Sequence, residues 1–205
     1  MIRVTTIWTN MSGFFNSVEV HSTFLPVSQL KNCYATTPDS LTFSIKMNRN
    51  ITHTRRLHDV RRPLNDFLET CSVLGDKLGP FLIGLSPAFK KDLERFDEFL
   101  SILPEHRFVF EFRHSSWFDD EVFERFRVQR ELILTMLGAQ FDSNAECFAD
   151  FAYIRWHARG RNGDGDSPSE IDSWARRIRE ISQRADVFGY WNNDARGYAG
   201  RTICS

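Results

Sequence analysis

The stretch Arg107-Phe108-Val109-Phe110-Glu111-Phe112-Arg113-His114-Ser115-Ser116-Trp117-Phe118 decides how this chain is read. Phe108, Phe110 and Phe112 alternate with Val109, Glu111 and Arg113, which is the period of a strand. Successive strand side chains point to opposite faces, so Glu111 and Arg113 stand side by side on one face and the aromatic rings cover the other. A carboxylate beside a guanidinium at the end of a strand, with a loop after it, is how a barrel enzyme presents polar groups to a ligand. A purely structural ion pair has the same spacing.

Working outward, the same device recurs. Residues 2–8 have strand composition. Residues 15–24 place Val18 and Val20 opposite Glu19 and His21, and residues 41–47 place Leu41, Phe43, Ile45 and Met47 opposite Thr42, Ser44 and Lys46. Between 63 and 78 the period becomes helical through Leu64, Phe67, Leu68, Cys71, Leu74 and Leu78, with Gly79-Pro80 as its expected stop. A short buried strand at 81–85 is followed by a helix whose apolar face runs from Phe89 to Leu103. After the focal strand come an expected helix over 119–130, a strand over 132–137 and a strand over 151–157 with Tyr153, Arg155 and His157 on one face. Ser167-Pro168-Ser169-Glu170 reads as a capping box opening a helix, and residues 187–194 read as a last strand.

Composition excludes several function classes. The 205 residues are 41% apolar and 26% charged with a formal net charge of -1, so nothing in the overall charge calls for nucleic acid or an anionic membrane. Nineteen Phe and five Trp are core material for one domain spanning 1–205. Cys33, Cys71, Cys147 and Cys204 are far apart, form no C-x-x-C pair and give no disulfide framework, which points to a reducing cytosol. No apolar run reaches membrane-span length and no secretory signal is visible, so a soluble, cytoplasmic protein is expected.

Strands alternating with helices imply parallel βαβ units and an α/β fold. A doubly wound sheet satisfies that alternation; a TIM-barrel-like (β/α) barrel is preferred because polar pairs recur late in strand after strand. The inward set near those ends is Glu19, His21, Lys46, Glu111, Arg113, Arg155 and His157, with Asn192, Asn193 and Asp194 after the last strand. Glu111 is the candidate acid–base group, with His157 and Glu19 secondary. Arg113 and Arg155 are candidate anion clamps and Lys46 a charge stabiliser, with His21, Asn192, Asn193 and Asp194 as further substrate contacts. His21, His157, Glu19 and Asp194 are too scattered to predict a metal site, and no cofactor is assigned. Residues 46–62 hold Lys46, Arg49, Arg55, Arg56, Arg61 and Arg62 against Asp59 alone, which is either a phosphate or nucleic-acid contact or a solvated face.

These residues carry a resemblance. Val18-Glu-Val-His-Ser-Thr-Phe24, Phe43-Ser-Ile-Lys46, Ile51-Thr-His53, Leu78-Gly-Pro-Phe-Leu82, Glu111-Phe-Arg-His-Ser-Ser-Trp-Phe118, Tyr153-Ile-Arg-Trp-His157 and Trp191-Asn-Asn-Asp194 follow the order of the domain of unknown function 72 family, also called YecE-like. The resemblance covers about residues 15–201 and implies a TIM-barrel-like fold with these polar motifs at its mouth; it names no activity. His21 stands where the family commonly has Asn, and Gly84 where it has Gln. The usual first strand and helix and the last helix are not recognisable, so a barrel trimmed at both ends is expected. The expected function is hydrolysis of an anionic substrate, phosphorylated or derived from nucleic acid. A non-catalytic phosphate- or nucleic-acid-binding module, or a family member without activity, are the alternatives.

Overall fold

Apolar residues recur along the chain with periods of two and 3.6 in turn, and strands and helices follow in that order. The computed structural model describes residues 15–21, 26–128, 132–134, 136–137, 150–156 and 168–191. The chain divides into two compact units, residues 1–132 and 133–205.

In the first unit β1 (Ser17–His21) leads to α1 (Val27–Thr36), β2 (Thr42–Lys46), a π-helical turn (Asn50–Thr54) and α2 (Arg61–Ser72). β3 (Leu78–Gly84), α3 (Leu93–Ser101), β4 (Phe108–Glu111) and α4 (Asp120–Val128) follow. The sheet order is β1–β2–β3–β4, with β5 (Leu132–Leu134) next to β4, and the first four strands pair in parallel. Strands in sequence order joined by helical crossovers are what parallel pairing requires.

Register fixes what each face carries. Val18 lies opposite Phe43, Val20 opposite Ile45, Ile45 opposite Phe81, and Ile83 opposite Phe110, so one face is wholly apolar. The helices cover that face. Phe67 of α2 meets Phe81 edge-on at 5.5 Å, Phe96 of α3 meets Phe110 at 5.2 Å, and Phe126 of α4 meets Phe110 at 5.6 Å. A cavity of about 350 Å³ on the same side is lined by Leu30, Ile45, Phe67 and Cys71, among others. A doubly wound sheet carries helices on both faces; here α2, α3 and α4 share one.

In the second unit β6 (Met136–Leu137), β7 (Phe151–Trp156) and β8 (Asp186–Trp191) form a parallel three-stranded sheet in the order β6–β7–β8. The helix α5 (Pro168–Ser182) packs Trp174, Ile178 and Ile181 with Ala152, Ile154 and Trp156. Tyr153 and Arg155 therefore sit on the other face, in register with Phe188 and Tyr190. The expected strand at 2–8, the 167 cap, and His157, Asn192, Asn193 and Asp194 lie outside the described residues.

Several expectations are corrected. The helix read over 63–78 is α2, which stops at Ser72, and Leu78 already belongs to β3. Gly79 does not stop a helix. A Cβ on it would lie 2.5 Å from Thr42 Cγ2 and 3.3 Å from the Phe43 carbonyl oxygen, so its bare Cα is what lets β3 close on β2. The strand read over 132–137 is two strands in separate sheets. The helix α1 had no strong signal, because it buries only Leu30 and Cys33 and has no side-chain cap. What holds its end is Lys77, 3% exposed, whose Nζ donates to the carbonyls of Tyr34 and Thr37 at 2.7 Å each. A cation at a helix C-terminus satisfies orphan carbonyls and the macrodipole together.

Gly79→Ala should lower stability by about 1–3 kcal/mol through overpacking, and Thr42→Ser, which deletes the clashing methyl, should restore part of it. Denaturant melts of the two single variants and the double check this; strictly additive losses would contradict the close approach.

Candidate functional site

The face of the first sheet turned away from the helices is the polar one. Glu19 lies opposite Ser44, His21 opposite Lys46, and Gly84 opposite Glu111, all towards the C-terminal ends of their strands. Lys46 of β2 reaches across to Gly84 of β3. A Cβ built on Gly84 would be 3.6 Å from Lys46 Cε and 4.0 Å from both Lys46 Nζ and Glu111 Oε1. An ammonium and a carboxylate thus converge over a residue with no side chain, and the volume above it is left to them.

Glu111 is 1% exposed, while Arg113 is partly exposed. Arg113 holds Oε1 of Glu111 with two donors, Nε at 2.7 Å and Nη2 at 2.6 Å. Burying a carboxylate is costly unless it is paired, and a guanidinium fork is the partner that fixes its orientation as well. The spacing Glu111-x-Arg113 therefore forms the pair that alternation predicts.

The loop after β4 is fastened so that Arg113 stays in place. Nδ1 of His114 accepts from the Ser116 backbone N–H at 3.1 Å and capping a 3₁₀ turn (Ser115–Trp117) is its role. The Ser116 hydroxyl, 2.9 Å from the same nitrogen, accepts from the Lys91 backbone N–H at 2.8 Å. Trp117 donates Nε1–H to the Phe89 carbonyl at 2.7 Å and stacks on Phe112 at 4.9 Å. The loops after β3 and β4 are joined as one body by these contacts.

After β2 the chain enters the π-helical turn, a feature that often marks functional sites. Thr52 is buried there, and its hydroxyl lies 2.8 Å from His53 Nδ1 and 3.3 Å from the Asn48 carbonyl. Burial lowers the His53 pKa from its ordinary value; Arg49, Arg113 and Lys46 lower it further, and Glu111 opposes them. His53 therefore shares one electrostatic environment with Lys46, Glu111 and Arg113. The selection of site residues by strand ends missed it, because it lies beyond the strand; the signal was its place in the Ile51-Thr-His53 motif and in the basic 46–62 segment.

That segment continues through backbone of positive φ at Arg56 (48°), Leu57 (67°) and Asp59 (47°). Such a run in non-glycine residues costs about 1 kcal/mol or more per residue and persists only where the surroundings impose it. The buried Leu57, whose N–H donates to the Ile51 carbonyl at 3.0 Å, is the anchor. Arg55 is paired with Asp59 at 3.6 Å, whereas Arg49, Arg56, Arg61 and Arg62 are exposed with no carboxylate partner among the described residues. Arg61 and Arg62 occupy the first turn of α2, which contains no acid, so both oppose the helix dipole at a cost of about 0.3–1 kcal/mol each.

Of the other predicted residues, the Glu19 side chain is largely buried, with His21 Nε2 3.5 Å from its Oε1 on an exposed imidazole. Arg155 is fully buried in β7 of the second unit. Among the described residues no group of three or more His, Cys, Asp and Glu is gathered as a metal site, and no helix is long and apolar enough to cross a membrane.

The fold and this site define a mixed α/β protein with a parallel sheet and helices on one face of it. The chain belongs to the family described as "Protein of unknown function DUF72", whose model matches residues 9–203. Among solved structures it is similar to a DUF72 family protein from Thermotoga maritima MSB8, at 21% identity and a TM-score of 0.79 over 97% of this chain and 85% of that one. A DUF72 family protein from Enterococcus faecalis V583 gives 17% identity and a TM-score of 0.78 over 98% and 91%. D-psicose 3-epimerase from Clostridium cellulolyticum H10, a TIM-barrel enzyme solved with D-tagatose, is more distant, at 12% identity and a TM-score of 0.59 over 100% and 84%. No curated protein matches the chain.

Two charge changes should move the His53 titration in opposite directions. Arg49→Ala removes a cation and should raise its pKa, whereas Glu111→Gln removes the opposing anion and should lower it further. Because the folded-state pKa is depressed, His53 contributes stability above its unfolded value near 6.5 that is lost as pH falls below it. Imidazole NMR titration of the three proteins decides the matter; equal shifts, or none, would place His53 outside this environment.

Proposed function

We propose that this protein is an enzyme, a hydrolase acting on an anionic, phosphorylated substrate bound over Gly84. The observation that carries the reading is the convergence of Lys46 Nζ and Glu111 Oε1 over that glycine, each 4.0 Å from where a Cβ would stand. A substrate phosphoryl group there would take its charge compensation from Lys46, with Arg49 and Arg113 adding to the positive field. His53, kept neutral by burial and those cations, would accept a proton from attacking water. His53 would then return that proton to the leaving oxygen, and Glu111, held as a carboxylate by Arg113, would be the second acid–base group, a base towards the attacking water. Glu19 and His21, on the same face of the first sheet, would be positioning or substrate contacts in this reading, and the protein would work in the cytoplasm. The second reading, phosphate binding without turnover, is favoured by the unpaired arginines alone.

The test is a ligand screen followed by turnover assays with phosphate esters, nucleotides and sugar phosphates. A ligand of the right class raises the melting temperature, because it binds the native state alone. Gly84→Ala places a methyl between the two charges, where a Cβ makes only ordinary contacts, and should weaken that rise while the protein stays folded. Glu111→Gln should leave the rise but slow turnover by about 100-fold or more. Full turnover in a folded Glu111→Gln protein would refute the assigned role, and ligand binding with no turnover in the unaltered protein would favour the second reading.

A further inference from the structure

Residues 49–62 hold five arginines and no lysine, in a chain with 26 basic and 27 acidic residues overall. Elsewhere in the first unit most described cations are compensated, Lys31 and Lys90 being the exceptions. Lys91, Arg95, Arg113, Arg125 and Arg127 each have a carboxylate partner. In this strap only Arg55 has one, and Arg49, Arg56, Arg61 and Arg62 are exposed with none among the described residues. The positive charge is thus local and uncancelled, and it is kept in two unfavourable settings. Arg56 sits in left-handed backbone, and Arg61 and Arg62 sit at the wrong end of a helix for their charge. A merely solvated surface has no need of either.

We propose that this arginine strap binds the phosphodiester backbone of a nucleic acid and leads one phosphoryl group of it to Lys46, His53 and Glu111. The proposal deepens the hydrolase reading by naming its substrate class. Three features select this ligand. The tract spans fourteen residues, more than one phosphate can engage, so a lone phosphate does not account for it. Every cation in it is a guanidinium, whose planar fork matches two phosphate oxygens at once. It is continuous with Arg49, which acts electrostatically on His53, so a bound chain and the reacting group share one field. Backbone contacts of this kind carry no sequence preference, so recognition is of the chain and its charge rather than of its bases.

The test uses the full chain and a labelled oligothymidylate of about 20 nucleotides, longer than a typical single-strand site, in single-stranded and duplex form. Affinity should fall steeply with salt, as phosphate contacts release counterions. Arg61→Glu combined with Arg62→Glu should weaken binding at least tenfold and flatten the log–log salt slope by roughly one per arginine. The same variant should melt at a higher temperature, because acids replace bases in the first turn of α2; loss of binding cannot then be put down to unfolding. No binding of either form at low salt, or a variant that binds as the unaltered protein does, overturns the proposal. Equal or tighter binding of polyglutamate overturns it too, since the strap would then be a surface for an acidic protein. The assay reads binding alone, so a protein that binds the oligonucleotide but never cleaves it would sink the hydrolase reading and leave this one standing.

Discussion

Glu111 is a carboxylate with 1% of its surface exposed, and the fork of Arg113 grips one of its oxygens. A buried charge left alone would cost several kcal/mol, so this pair has to form, and it must form at the end of β4. Much of the first unit follows from that requirement. The aromatic face of β4 must turn to the helices for Glu111 to turn away. Phe112 and Trp117 must stack for the loop to return, and the loops after β3 and β4 must be fastened to keep Arg113 within reach. The parallel register then carries the same division of faces across β3, β2 and β1.

The consequence is a polar surface on which two opposite charges meet over a glycine. Lys46 and Glu111 face the same point above Gly84, and any larger residue there would fill the space between them. Lys77 shows the contrast: a lysine spent on structure is buried and satisfied by two carbonyls. Lys46, at the opposite end of the sheet, reaches instead towards a carboxylate over Gly84, within the field that also depresses the His53 pKa.

Alternation made much of this legible. The strands around Val18, Phe43 and Phe110, the apolar faces of α2 and α3, and the Glu111–Arg113 pair all follow from period and spacing, because each side chain's direction is set by its own strand or helix. What stayed hidden depends on distant neighbours. Gly79 reads as a helix stop, and only the approach of Thr42 reveals it as a contact between strands. The helix α1 is weakly amphipathic and is held by a lysine some forty residues away, so local pattern could not declare it. His53 lies beyond its strand on a π-helical turn, a geometry with no period to read. Residues 46–62 were legible as basic, but whether their charges are paired is a property of the fold.

If the position above Gly84 binds an anion, a crystal structure of the protein equilibrated with inorganic phosphate will show it there. A phosphate should lie over Gly84 within hydrogen-bond reach of Lys46 Nζ, close to His53. Phosphate found elsewhere, with that position occupied by water alone at saturating concentration, would contradict it.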